Sequence, residues 1–89
     1  MAKRGKIEIM DDILRIIKEN HNFIKTTPLM RQSNLSSARF KEYYDDLLEK
    51  KLVQEISTDK GKFVSVTEKG FRFLERYKAI VNFIDEFEL

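Results

Sequence analysis

The stretch Thr27-Pro28-Leu29-Met30-Arg31-Gln32-Ser33-Asn34-Leu35-Ser36-Ser37-Ala38-Arg39-Phe40 decides the fold. It reads as one short helix, a tight turn and the opening of another helix. Threonine is a good N-cap and proline suits the first helical position, where its missing N–H costs nothing, so Thr27-Pro28 is expected to open the short helix. Leu29 and Met30 face inward, and the helix ends near Ser33-Asn34. Ser36 then caps the next helix, with Leu35 before it and Phe40 after it placed as a hydrophobic staple. Only about four residues separate the two helices, which holds them close together at an angle, the helix-turn-helix geometry.

Upstream, Ile9, Met10, Ile13, Leu14, Ile16 and Ile17 share one broad face at helical spacing, predicting an amphipathic helix from about Lys6 to Asn20. Asn20-His21-Asn22 is a turn, after which Phe23 and Ile24 are expected to re-enter the core. Downstream, Phe40, Tyr44, Leu47 and Leu48 form the buried stripe of the third helix, with Tyr43 on its flank. Leu52 to Ile56 reads as a strand, Ser57 to Gly61 as a turn and Phe63 to Val66 as the returning strand. Thr67 caps a last helix reaching about Glu86, some ~30 Å long, with Val66 and Phe71 as a second staple. Helix, helix, helix, hairpin, helix is a winged-helix arrangement, mainly α within the α+β class. Residues 1–66 form its head, with a basic arm over 1–6 and a hairpin wing over 52–66, and residues 67–89 form a C-terminal helix.

That helix carries two apolar seams, Leu74-Tyr77-Val81-Ile84 and Phe73-Tyr77-Ile80-Ile84-Phe87, both stepping by three and four. One can face the chain's own core, and the other needs a partner. Phe73, Leu74, Tyr77, Ile80, Val81, Ile84 and Phe87 are therefore the expected dimer interface, and a second copy of the chain the expected partner.

Composition narrows the function. Eighty-nine residues make one small domain. Lys and Arg number 17 against 15 Asp and Glu, a net charge of +2, which excludes a strongly cationic coating protein. There is no cysteine, hence no disulfide, thiolate nucleophile or cysteine zinc site, and one histidine cannot build a histidine metal cluster. No apolar run approaches the ~20 residues of a membrane span, and no secretory signal opens the chain. No enzyme activity, cofactor, metal or membrane partner is expected, which leaves a binding module.

The segment from Thr27 to Ser36 resembles the helix-turn-helix of the archaeal ten-kilodalton winged-helix DNA-binding family, the Sulfolobus nucleoid-type proteins, which run Thr, basic, Ile, Met and later Asn-Leu-Ser. Lys3, Arg4, Lys6, Glu8 and Ile9 look like its basic opening, and Thr67-Glu68-Lys69-Gly70 like its Thr-x-Lys-Gly entry to the last helix. Pro28 stands where the family usually has a basic residue, Arg31 where it has an aromatic, and the hairpin is longer. The resemblance implies a homodimer held by antiparallel pairing of the C-terminal helices, double-stranded DNA as partner, and a cytoplasmic, nucleoid-associated place in an archaeon. The charges suit that pairing independently. Crossing near Tyr77-Lys78 would set Asp85, Glu86 and Glu88 beside the partner copy's Lys69 and Arg72, whereas a parallel pair would stack acid on acid.

A helix-turn-helix lays its second helix in the major groove, N-terminal residues first. Ser36, Ser37 and Arg39 occupy that start, Arg39 pointing away from the buried stripe, and Lys41 sits on the flank. Arg31, the hairpin lysines Lys60 and Lys62, and Lys3, Arg4 and Lys6 of the arm complete the expected DNA-binding set. Singly, each reads as a solvated surface charge; jointly, in this frame, they read as a phosphate-neutralising surface. Glu42, Asp45, Asp46 and Glu49 argue the other way, because carboxylates repel phosphate: either only the first turn of the third helix enters the groove, or this face meets a protein. The expected function is a homodimeric transcription regulator, the low net charge favouring regulation over general nucleoid organisation. A winged-helix protein-interaction module is the alternative. His21 reads as a turn residue, Met10 and Met30 as core filler, and Ser36-Ser37 as capping chemistry without a general base.

Overall fold

A computed structural model describes residues 5–89. The chain runs α1 (Lys6–Glu19), β1 (Ile24–Lys25), α2 (Thr26–Ser33), α3 (Ser37–Glu49), β2 (Val53–Thr58), β3 (Gly61–Val66) and α4 (Glu68–Glu86). Four helices and a three-stranded antiparallel sheet of order β1-β3-β2 make a winged helix with a long C-terminal helix. The apolar stripe of α1 supplies Ile9, Met10, Ile13, Leu14 and Ile17 to the core. Leu29 of α2, Phe40, Tyr44 and Leu47 of α3, and Val64 and Val66 of β3 close over it.

The caps work as the side chains dictate. Ser36 Oγ accepts the Arg39 N–H at 3.3 Å, and Thr67 Oγ1 accepts the Gly70 N–H at 3.1 Å. Helix α3 ends in a Schellman turn: Leu52 N–H donates to Leu47 O, Lys51 N–H to Leu48 O, and Lys51 takes the left-handed φ of +61°. Buried Leu47 and Leu52 provide the apolar contact of that motif. The segment after the turn is fastened to the start of α4. Lys51 O accepts from Thr67 Oγ1 at 2.7 Å, Leu52 O from Thr67 N–H at 3.1 Å, and Lys50 O from Lys69 Nζ at 2.9 Å. Gly70 permits this approach: a Cβ there would lie 2.2 Å from Leu52 O and 2.5 Å from Val66 Cγ1.

Four expectations are corrected. Helix α2 opens two residues earlier, with Lys25 as an N-cap that offers no side-chain bond. Thr27 is thus inside the helix, and Pro28 takes the third position, where an N–H still has no intrahelical partner. The hairpin loop is Asp59-Lys60 alone, since β2 and β3 pair out to Thr58 and Gly61. Polar residues there mimic a longer turn because the wing projects into solvent on both faces. Ile24 and Lys25 form a third strand against Val64 and Phe63, and two residues carry no periodicity to reveal it. Finally, Ile24 enters the core but Phe23 does not: it stays 43% exposed, its ring set on Phe63.

Candidate nucleic-acid interface

The interface is built from the α2–α3 turn upward. Asn34 takes φ +64°, ending α2 and turning the chain toward Ser36. The Ser36 cap then fixes the first turn of α3, which contains no acidic residue. Ser36, Ser37 and Arg39 are all exposed on it. The Arg39 guanidinium lies along the helix surface, 3.5 Å from the Tyr43 hydroxyl, with its carbon 5.8 Å from the Tyr43 ring centre. That contact holds the side chain extended on the surface without neutralising it. Arg31 is exposed in the last turn of α2.

Several of the expected cations are engaged by the chain's own carboxylates. Lys41 Nζ donates to Asp45 Oδ2 at 2.7 Å, and Lys62 Nζ sits 3.7 Å from Glu55 Oε1. Lys6 is the first residue of α1 rather than part of an arm, and its ammonium lies 3.4 Å from Asp46 Oδ2. The Lys41–Asp45 pair is exposed on both sides and contributes little by itself. Lys3 and Arg4 lie outside the described residues. Lys60 is exposed in the hairpin loop.

The acidic row is resolved residue by residue. Asp46 is held by Lys50 and Lys6, whose hydrogen bonds pull its carboxyl below the ordinary carboxylate range. Asp45 is occupied by Lys41. Glu42 and Glu49 are exposed, the first of them falling one turn beyond Arg39. With Lys6 and Tyr43 these four acids line a shallow pocket of 360 Å³. Negative charge thus begins where the first turn of α3 ends.

One cation was missed from the sequence. Lys25, in β1, runs its side chain across the sheet toward the wing tip, its Cε 3.2 Å from where Gly61 would carry a Cβ. Lys25, Lys60 and Lys62 therefore share the wing.

On α4 the apolar positions divide. Leu74 is 9% exposed and belongs to the chain's own core, against which Phe71 and Phe73 pack. Tyr77 and Val81 are half-buried; burial and then the Glu8, Asp11 and Asp12 carboxylates of α1 raise the Tyr77 phenol above its ordinary value. Ile80 and Phe87 are each 56% exposed, and Ile84 is exposed beside them. Phe83, equally exposed and packed against Phe87 at 5.0 Å between ring centres, joins that surface although neither seam contained it. No helix among the described residues is long and apolar enough to cross a membrane.

The winged helix-turn-helix family pattern matches residues 3–85. Among solved structures, the chain is similar to Sso10a-2, a DNA-binding protein from Sulfolobus solfataricus, with a TM-score of 0.77 and 21% identity over 96% of this chain and 86% of that one. It is also similar to a winged-helix DNA-binding protein from STIV, with a TM-score of 0.74 and 21% identity over 89% of this chain and 91% of that one. At this identity both likenesses speak for the fold. No curated protein matches the chain in sequence.

Proposed function

The chain belongs to the winged helix-turn-helix family, and on that premise we propose that it binds double-stranded DNA as a homodimeric transcription regulator. The observation that carries this reading is the first turn of α3: capped by Ser36, free of carboxylates, and presenting Ser37 and Arg39 outward. A recognition helix enters the major groove by that end. Arg31 on one side and the wing lysines Lys60, Lys62 and Lys25 on the other flank it for phosphate contact. The two similar solved structures are DNA-binding proteins by description, which supports the same partner. Residues 67–89 serve as the dimerisation element, through the exposed end of α4 around Ile80, Phe83, Ile84 and Phe87. The resemblance to the archaeal ten-kilodalton family supports an antiparallel pairing and a nucleoid-associated place. Binding, not catalysis, is the role assigned.

The exposed acids Glu42 and Glu49 favour a second reading, a protein-interaction module docking on α3. Gel-shift titration on random duplex at two salt concentrations separates them. If about six phosphates are neutralised per head, log affinity falls with log salt at a slope near −5. The double change Arg39→Ala and Lys62→Ala is expected to weaken binding at least tenfold with unchanged circular dichroism, on the order of two lost ionic contacts. Unchanged affinity removes the assigned face, and no shift at low salt puts the protein-interaction reading first.

A further inference from the structure

We propose that the outer face of the wing sheet is a stacking platform for an unpaired nucleobase, formed by Phe23 and Phe63 and served by the Lys25 ammonium. This goes beyond duplex binding and rests on two rings, Phe23 and Phe63, that the duplex reading does not use; Lys25 is shared with it.

The core lies on the inner face of the sheet, where Ile24, Val64 and Val66 point. Phe23 and Phe63 belong neither to that core nor to the half-buried residues packed against it. Their rings instead lie parallel on the far side, 4.2 Å between centres and 8° between planes. Phe63 covers one face of Phe23, so the 43% exposure of Phe23 lies on its other face and its edge. That leaves a flat aromatic surface facing water. Ile56, directly across from Phe63 in the β2–β3 register and 36% exposed, extends the apolar surface beside it.

Charge selects the occupant. The Lys25 ammonium stands 5.5 Å from the Phe63 ring centre, within cation–π range, and close to the Gly61 backbone near the hairpin loop. Lys60 adds a cation in that loop, where Asp59 is the acid. The Glu55 carboxylate is taken up by the Tyr44 hydroxyl at 2.6 Å and by Lys62. An exposed π-face with a lysine at its margin is the combination that binds single-stranded nucleic acid: the ring stacks a base and the cation meets its phosphate. Bases inside a duplex have both faces covered by their neighbours, so only an unpaired or splayed base can offer one. A purely apolar protein partner would have no use for the ammonium held against the Phe63 ring.

The test uses the full chain and a short single-stranded oligothymidylate carrying one 2-aminopurine. Stacking on Phe23 is expected to quench the 2-aminopurine fluorescence in a saturable titration. Phe23→Leu keeps apolar bulk over Phe63 but removes the π-face, and is expected to lose the quenching and to weaken single-strand affinity about tenfold. Its circular dichroism and duplex gel shift should be unchanged. Lys25→Ala should weaken single-strand affinity while leaving the quenched end point intact. Absence of saturable quenching with the natural chain overturns the proposal and leaves the patch to an apolar partner. So does full quenching by Phe23→Leu, which would make Phe23 only a cover for the sheet. Arg39→Ala separates this proposal from the duplex reading, because it should reduce the duplex shift and leave the quenching untouched.

Discussion

Replacing Gly70 by alanine tests the joint between the sheet, the α3 exit and α4. The added Cβ would meet Leu52 O at 2.2 Å and Val66 Cγ1 at 2.5 Å, where ordinary contact begins at 3.4 Å. The start of α4 would have to withdraw by more than an ångström. Val66 can turn, but Leu52 O is backbone and is already held by the Thr67 N–H at 3.1 Å, so it cannot give way without losing that bond. Overpacking of this kind costs about 3 kcal/mol. Alanine regains about 1 kcal/mol through its higher helix propensity. The net loss of about 2 kcal/mol corresponds to a fall in Tm of roughly 10 °C for a domain of this size. Thermal melts at one fixed protein concentration measure it, because self-association would otherwise move the midpoint. A Tm equal to or above that of the natural chain would refute the close approach, leaving helix propensity as the only effect present.

Three further outcomes follow from particular contacts. Burial, and then its hydrogen bond to Glu55, push the Tyr44 phenol well above its ordinary value near 10. Stability from this group is therefore complete below about pH 10 and declines above it, where the unfolded chain gives up a proton that the fold retains. Urea melts at pH 9 and pH 11 should show that loss, and Tyr44→Phe should make the difference smaller. Lys51 occupies the left-handed position of the Schellman turn at φ +61°, so Lys51→Gly should raise stability by about 0.5–1 kcal/mol, seen as a higher urea midpoint. Ile80→Lys should convert dimers to monomers in light scattering with unchanged circular dichroism, since Ile80 is 56% exposed on its own chain; unfolding instead would place it in the core.

Much of the fold was legible because its signals are local or periodic. Ser36 and Thr67 each announce a helix three residues ahead of the N–H they accept, and the stripe of α1 is broad enough to leave no competing reading. The errors lie where neither cue operates. Phe23 carries no period, and an aromatic before an isoleucine reads as a return to the core. Only the pairing of Ile24 with Val64 reveals that its neighbour must face outward. Phe83 lies off both three-and-four seams on α4, yet the helix leaves the core before reaching it, so that whole end is exposed. The members of the proposed cationic surface can be named from the sequence, but not which of them the chain's own carboxylates engage. Lys41 and Asp45 stand four apart on one helix, whereas Lys6 reaches Asp46 only through tertiary packing. The resemblance of Thr67-Glu68-Lys69-Gly70 to a family motif acquires a physical cause in the structure, since threonine caps, lysine reaches the Lys50 carbonyl, and glycine makes room for Leu52 O.

That same joint has a mechanical meaning. Three successive carbonyls at the exit of α3 are tied to two residues at the head of α4, so α3, the proposed groove-reading helix, and the long rod are joined as one bent lever. If two copies clasp along their rods, the angle at which the rods cross sets the distance between the two reading ends. A change at that crossing, far from any base pair, would then retune which operator spacing the pair can span.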